Sequence, residues 1–328
     1  MRLTSISGSR AELSVGIQAP SNIDPSQYAS RPDKGILRTV ARQAKSMVAT
    51  PVLRHRQPEL LRELRCQIPF AFDLVYKGYR FGGEAALDRF RAVMGDQPLG
   101  RVLVIGCGAG YETEAWLRRR PRSLVGVDLF DYGRHWQALA PRLSKAYGCP
   151  VEFRQAVAEQ LPFADNSFDV IHSQAVLEHI LNMDQSIREM TRVLASGGRM
   201  WHEFGPLYFT YGGDHCIPAY GDDAGYDHLL LDDPEYQRKI HDLAFFKNTH
   251  DPHCSYWARE NQFSFLGAKD YLAVFEKCLE VESVIVGISS EGLRFRAQQP
   301  AAWGRLIEAG VPEPDLLIQN MHAILRKR

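Results

Sequence analysis

Residues 101–111 read RVLVIGCGAGY, and this stretch decides the fold. Val102–Ile105 form a short apolar, β-branched run, as expected for a buried strand of a parallel sheet. Three glycines follow in G-x-G-x-G spacing, at Gly106, Gly108 and Gly110. Glycines in this position let the backbone turn sharply and approach a ligand without a Cβ in the way. A helix expected directly after them would offer free N–H groups to polar ligand atoms.

The glycine-rich turn alone does not define the ligand, because a tight turn can also serve no ligand at all. The dinucleotide fingerprint G-x-G-x-x-G requires glycine where this chain has Tyr111. The next apolar run ends in Asp128, about twenty residues beyond the glycines, where a carboxylate can accept both hydroxyls of a ribose. The pattern therefore favours a ribose-containing ligand.

From Arg101 onward, short β-branched runs alternate with helical stretches, which is typical of a parallel α/β sheet. The predicted strands are 101–105, 123–127, 151–154, 168–172, 198–204, 279–286 and 316–325. The predicted helices are 112–119, 135–147, 183–194, 268–278 and one around 234–246.

Other segments flank or interrupt this alternation. Residues 1–33 lack apolar periodicity and predict a flexible arm. Residues 34–95 predict a helical N-terminal extension, with an apolar stripe and off-stripe basic residues along 36–48. Residues 96–328 make up the main domain. Within it, the irregular, histidine- and aromatic-rich insertion 205–263 predicts a substrate lid.

Charge and cysteine content narrow the choice of partners and compartment. The 328-residue chain has 39 basic and 39 acidic residues, so no global field favours nucleic acid and none is expected as a partner. Residues 34–65 are locally basic, and the helix 36–48 could contact an anionic membrane. Dispersed cysteines, a polar start and no apolar run of about 18 residues favour a cytoplasmic protein. The oligomeric state stays open, with a homodimer as one candidate.

Five motifs, in order, resemble class I S-adenosylmethionine (SAM)-dependent methyltransferases. They are VLVIGCGAG (102–110), VGVD (125–128), AEQLPFADNSFDVI (158–171), VLEHI (176–180) and RVLASGGRM (192–200). The chain most resembles the branch that includes ubiquinone/menaquinone C-methyltransferases and small-molecule O-methyltransferases. This resemblance implies a Rossmann-like α/β fold, with a seven-stranded, mostly parallel sheet, helices on both faces and the long insertion after the fifth strand. It also implies SAM as cofactor, with S-adenosylhomocysteine as product.

The resemblance further implies which residues hold SAM. Those expected at its methionine and ribose parts are Gly106, Cys107, Gly108, Gly110 and Asp128. Those expected at the adenine are Leu129, Ala158 and Glu159, and those bordering the methyl group are Ser173 and Gln174. Two family acids are replaced in this chain, by Val104 and Val157. These departures leave a non-catalytic SAM-binding module as an alternative.

Methyl transfer from a sulfonium requires alignment of the acceptor and, for some acceptors, removal of a proton. His215 is the predicted general base, because an imidazole titrates near neutral pH, and Asp214 stands beside it. Glu203, at a strand end, is a second candidate. His179 is expected to serve structure or the cofactor. No metal is expected, since residues 250–254 and Asp214 offer ligand types without a zinc spacing.

The predicted function is methyl transfer to a small-molecule acceptor in biosynthesis, at a hydroxyl oxygen of a secondary metabolite, sugar or glycolipid. Methylation at carbon of a quinone-like or lipid substrate is the nearest alternative. A nucleic-acid or protein methyltransferase that docks through 34–65 is another.

Overall fold

The computed structural model describes residues 72–76, 90–95, 98–110, 113–216, 224–241 and 257–328. The predicted arm 1–33, the basic segment 34–65 with its helix 36–48, and residues 250–254 lie outside these ranges. Their predicted roles therefore stay predictions.

Eight strands within the described ranges form one sheet. They are β1 (Phe72–Tyr76), β2 (Arg101–Ile105), β3 (Ser123–Asp128), β4 (Val151–Gln155), β5 (Phe168–Gln174), β6 (Leu194–Phe204), β7 (Leu279–Ile288) and β8 (Ile318–Lys327). The strand order is β1-β7-β8-β6-β5-β2-β3-β4, and β8 alone among these strands runs antiparallel to its neighbours. The chain order reverses between β2 and β5, so this sheet has its topological switch point there. Ligands of open α/β sheets bind at such a point, beyond the carboxyl ends of the strands.

This sheet confirms the predicted Rossmann-like architecture and adds an eighth strand to the seven expected. The added β1 pairs in parallel with the edge of β7. It lies inside 34–95, so the prediction of a helical extension is wrong for this part. The sequence FDLVY is rich in β-prone residues, and the edge of β7 offers backbone groups that a strand can pair and a helix cannot.

Nine α-helices have both ends within the described ranges. They are α1 (Glu114–Leu117), α2 (Gly133–Tyr147), α3 (Met183–Val193), α4 (Asp227–Leu230), α5 (Asp233–His241), α6 (Ala268–Glu276), α7 (Ser290–Gln298), α8 (Pro300–Glu308) and α9 (Glu313–Leu317). Local chemistry explains their ends. The Asn182 side chain accepts the Gln185 N–H (3.1 Å) at the start of α3, and the left-handed Gly148 ends α2.

Strand alternation divides the core between the two faces of the sheet. Leu103 and Ile171 point to the face covered by α3 and α6. Val102 and Val170 point to the other face, which α1 and α2 cover. Successive side chains of a strand face opposite sides, so each buried strand supplies both layers.

The described part of the insertion packs onto the first of these faces. Tyr208, Tyr226 and Phe263 are buried in its cluster. A small separate cluster of Cys216, Tyr236, Ile240 and Ala258 joins α5 to the neighbouring loops. The helix predicted around 234–246 is present as α5. Within the described residues, no helix is both long and apolar enough to cross a bilayer.

Candidate cofactor and acceptor site

The turn after β2 requires its glycines. Gly106, Gly108 and Gly110 have φ values of 67°, 52° and 91°, in the left-handed region that side-chain-bearing residues rarely adopt. A Cβ at Gly106 would overlap Val176, and one at Gly110 would lie 2.7 Å from Phe153 Cζ. Both backbone strain and lack of space therefore exclude other residues at Gly106 and Gly110. The result is a cradle lined by main-chain atoms at the switch point.

Asp128, at the carboxyl end of β3, is tied to this cradle. Its Oδ2 accepts the Gly108 N–H at 2.7 Å, and its Oδ1 accepts the Phe130 N–H at 3.0 Å. The residue is only 8% exposed, and burial raises the pKa of its carboxyl to about 6. The carboxylate therefore fixes the shape of the glycine turn and remains at the place where a ribose would bind.

The start of α2 packs against the same turn. Trp136 Nε1–H donates to Gly108 O at 3.0 Å, and His135 Nε2 lies 3.0 Å from Ala109 O. These bonds use two carbonyl groups of the turn, because each ring N–H points at a main-chain oxygen. Neither residue was identified from the sequence, which signals only the helix that carries them.

Cys107 supplies main chain to the cradle, while its side chain turns away. Its sulfur occupies the space over Gly126, where an added Cβ would lie 2.9 Å from it. Burial raises the pKa of the Cys107 thiol well above its ordinary value, so the thiol stays protonated and packs as an apolar group.

The expected adenine side is built from the ends of β3 and β4. Leu129 is half-buried, and its carbonyl accepts the Gln155 side-chain N–H at 2.9 Å. Ala158 is buried, and burial raises the pKa of the neighbouring Glu159. The two replaced family acids differ in setting. Val104 is buried in the apolar cluster under α1, whereas Val157 is 36% exposed.

The two residues expected near the methyl group point to opposite faces of β5. The Ser173 hydroxyl is fully buried and lies 2.7 Å from His202 Nδ1, so only the main chain of Ser173 can border the cofactor. Gln174 is half-buried at the end of β5, and Glu203 lies opposite it on β6. Glu203 is itself buried at 8% exposure.

Asp214, which stands next to His215 in the sequence, has buried hydrogen-bond partners of its own. The buried Asp214 carboxylate accepts the Tyr236 O–H at 2.9 Å and the Cys216 N–H at 3.1 Å. It therefore helps hold the insertion together, and a catalytic role of Asp214 stays a prediction. Side chains of adjacent residues in a tight turn diverge, and His215 itself adopts a left-handed φ of 64°.

His215 instead lies beside the turn that follows β5. Its ring centroid is 4.7 Å from that of His179, and one ligand-type atom from each of Glu178, His179 and His215 lies within 4.8 Å of the others. Glu178 is fully buried, its Oε1 accepts the Gly205 N–H at 2.9 Å, and burial raises the pKa of its carboxyl to about 7. Sequence reasoning missed Glu178, although its place after a strand at the switch point was a usable signal.

Trp257 joins the two sides of the site. Its ring stacks on His179 with centroids 4.2 Å apart and lies 5.7 Å from the ring of Phe130, which follows Asp128 closely. Phe263 packs against His215 at 5.7 Å. The described part of the insertion therefore reaches from the ribose side to the histidines, and its role as a substrate lid stays a prediction. A separate cavity of about 340 Å³ lies between α2 and β4, and none of the predicted site residues line it.

Comparison with known proteins agrees with this geometry. Residues 103–202 match the family described as "Methyltransferase domain". A ubiquinone biosynthesis O-methyltransferase of Rhizobium rhizogenes is 34% identical over 101 residues, 31% of this chain and 39% of that relative. A ubiquinone/menaquinone biosynthesis C-methyltransferase of Hahella chejuensis is 50% identical over 58 residues, 18% of this chain and 23% of that relative.

The matched segments thus span well under half the length of these two curated relatives. Among solved structures, the YcgJ protein of Bacillus subtilis is similar, with 19% sequence identity and a TM-score of 0.42. The superposition covers 74% of this chain and 98% of the YcgJ chain. The matched segment runs from within β2 to within β6 and includes the glycine turn and Asp128. Over these residues the chain is therefore similar to the family described as "Methyltransferase domain".

Proposed function

We propose that this protein transfers the methyl group of SAM to a hydroxyl oxygen of a small molecule. The observation that carries the proposal is the juxtaposition at the switch point. A main-chain cradle tied to Asp128 lies on one side, and the cluster of Glu178, His179 and His215 lies on the other.

The cradle suits the cofactor. Asp128 can accept hydroxyl groups of the ribose, while the glycine turn lets the methionine part approach the main chain. The family match over 103–202 supports this assignment. Leu129, Ala158 and Glu159 are the proposed adenine contacts, and Gln174 and the Ser173 main chain are proposed to border the methyl group.

The other side suits a small acceptor that loses a proton. Trp257 and Phe263 wall the cluster with aromatic rings, which favours an enclosed, partly apolar acceptor. In the transfer, an oxygen electron pair forms the new bond to the methyl carbon, and the carbon–sulfur electrons remain on sulfur. The hydroxyl proton leaves on the histidine side, where groups that exchange protons near neutrality are concentrated.

Titration calorimetry with SAM and S-adenosylhomocysteine tests the cofactor half. Asp128→Asn should weaken binding by about 10- to 100-fold, because a charge-assisted hydrogen bond contributes about 1.5–3 kcal/mol. Asp131→Asn is the matched control, since Asp131 makes a similar bond to the Gly133 N–H but is exposed. If the wild type does not bind SAM at high micromolar concentration, the proposal is wrong.

Transfer to carbon is the second candidate, and the similarity to a relative named as a C-methyltransferase favours it. The names of both curated relatives refer to ubiquinone biosynthesis, so we extend the proposal to a biosynthetic role. Incubation with methyl-labelled SAM and a panel of phenols, followed by mass spectrometry of the product, distinguishes an ether from a new carbon–carbon bond.

A further inference from the structure

We propose that Glu178, His179 and His215 bind one divalent transition-metal cation, such as Zn²⁺, on the acceptor side of the cofactor site. The site itself is independent of the proposed function, whereas its role in the reaction rests on that function. The sequence placed candidate ligands at Asp214 and 250–254, while the fold assembles a different set from two distant segments.

The geometry is close to that of a coordination site. The three ligand-type atoms lie within 4.8 Å of one another, and two ligands of one ion lie at most about 4.2 Å apart when each bond is about 2.1 Å. Small side-chain rotations would therefore close the cluster around an ion. Burial of the Glu178 carboxylate is also costly, and a bound cation would stabilise it.

The hydrogen bonding of Glu178 supports the metal site independently of the distances within the cluster. Its Oε1 accepts the Gly205 N–H at 2.9 Å, which fixes the carboxylate in one orientation. Its Oε2 is buried and accepts no hydrogen bond within the part of the chain that the structure describes. Buried acceptors are satisfied in most proteins, so an orphan oxygen beside two histidines indicates a missing positive ligand.

The histidines are held as metal ligands usually are. His179 Nδ1 lies 3.1 Å from Gln262 O, and a ring that donates to a carbonyl through Nδ1–H keeps its lone pair on Nε2. The His215 N–H donates to Gly212 O at 3.0 Å, in the turn that sets its left-handed backbone. The His179 ring is therefore oriented by a main-chain carbonyl of the insertion, and the backbone that carries the His215 ring is fixed by its own turn.

The ligand set also selects the class of ion. Two imidazoles and one carboxylate suit Zn²⁺ and the neighbouring transition metals, whereas Mg²⁺ prefers oxygen ligands alone. Three protein ligands leave a position open, as in catalytic rather than structural zinc sites. An acceptor hydroxyl placed there would become more acidic and release its proton to solvent. The cation, rather than His215 as a base, would then prepare the oxygen for methyl transfer.

The location supports this role. Val176 packs directly against Gly106, and Glu178 follows in the same turn. Trp257 stacks on His179 and also contacts Phe130 beyond Asp128. The cluster is therefore next to the cradle, on the side left for an acceptor.

Metal binding is measured on the full chain with the metal alone. Zn²⁺ calorimetry on metal-free wild type should give one equivalent bound, Co²⁺ should give visible absorption of a low-symmetry nitrogen–oxygen site, and Mg²⁺ should not compete. Glu178→Gln and His215→Asn should each weaken Zn²⁺ binding by at least about 100-fold. Gln can still accept the Gly205 N–H, and Asn tolerates the left-handed backbone at position 215.

Two controls separate this proposal from the proposed function. His241→Asn, at an exposed position of α5, should bind Zn²⁺ like the wild type, and Asp128→Asn should lose SAM affinity while keeping the metal. Thermal unfolding of each variant confirms that it is folded. Absence of stoichiometric binding to the wild type, or binding retained by both Glu178→Gln and His215→Asn, would overturn the metal site and leave His215 as a base.

Discussion

The two halves of the candidate site are built in different ways. The cofactor half uses the main chain of the glycine turn and one carboxylate at a strand end, all within β2 and β3 and the turns that follow them. The acceptor half uses side chains from the turn after β5 and from the insertion, which meet only in the folded protein. The first half depends on local backbone conformation, and the second depends on tertiary packing.

This difference predicts how each half fails. Substitutions that restrict the backbone conformation should reduce cofactor binding most, because the geometry of the cofactor half is set by φ values and close main-chain contacts. Substitutions that replace a functional group should impair the acceptor half most, because this half acts through ring nitrogens and carboxylate oxygens.

The largest effect is expected from Gly106→Ala. The substitution places a side chain in the left-handed region at φ 67° and also overlaps Val176, so SAM affinity should fall by at least about 100-fold. Gly148→Ala is the matched control, because its φ is 68° and no atom lies within 4 Å of the added Cβ. It should cost about 1–2 kcal/mol of stability and leave SAM binding unchanged. Calorimetry measures the SAM affinity of each variant, and urea unfolding measures its stability. If Gly148→Ala lowered SAM affinity as much as Gly106→Ala does, general backbone strain rather than the shape of the cradle would govern binding.

An effect confined to turnover is expected at His215. His215→Asn should lower methyl transfer by about 100-fold or more, with SAM affinity preserved, because the group acts on the acceptor and not on the cofactor. Asp214→Asn is the neighbouring control. It should lower stability by about 1–3 kcal/mol, since the Tyr236 and Cys216 bonds are perturbed, with turnover per folded molecule close to wild type. A large loss of turnover in Asp214→Asn would support the predicted pair.

The same contrast explains what the sequence could predict. The strands from β2 to β8 were all predicted, with β2 to β4 placed to within one residue because buried parallel strands read as short apolar runs. The prediction was less exact for β6, which begins four residues before its predicted start, and for the antiparallel β8, which lies two residues later than predicted. β1 was missed, since its identity depends on an edge that only the assembled sheet provides. The helices α7 to α9 were also missed, as were the contacts of His135 and Trp136 with the glycine turn.

The residues of the candidate site also fall into those that the sequence could predict and those that it could not. Gly106, Gly108, Gly110 and Asp128 were predicted because their roles follow from conformation and strand position. The contact between His179 and His215 could not be predicted, because it joins segments separated by β6 and the start of the insertion. The hydrogen bond from Tyr236 to Asp214 likewise depends on tertiary packing that no local sequence pattern records.

A pH series sharpens the description of the cofactor half. The Asp128 carboxyl has a pKa of about 6 in the free protein because of burial, and the ionised form is the better acceptor for ribose hydroxyls. Protonation therefore competes with SAM, so affinity should be constant above pH 7 and fall by up to about tenfold per unit below pH 6. Asp128→Asn should bind weakly at every pH and lose this dependence. A wild-type affinity that does not change between pH 5 and 7 would show that Asp128 does not meet the ribose in its ionised form.

The smallest effect is expected at Cys107, and it tests whether the cradle acts through its main chain alone. Cys107→Ala removes a sulfur that packs over Gly126, on the side away from the ligand, and leaves the turn backbone intact. Stability should fall by about 1 kcal/mol for the lost packing, and SAM affinity should stay within about twofold of wild type. Calorimetry and thermal unfolding measure the two quantities on the same sample. The native thiol should also resist alkylation, because its pKa is raised and its sulfur is buried. A marked loss of SAM affinity would mean that the side chain contacts the cofactor, and the cofactor half would then depend on side-chain chemistry as the acceptor half does.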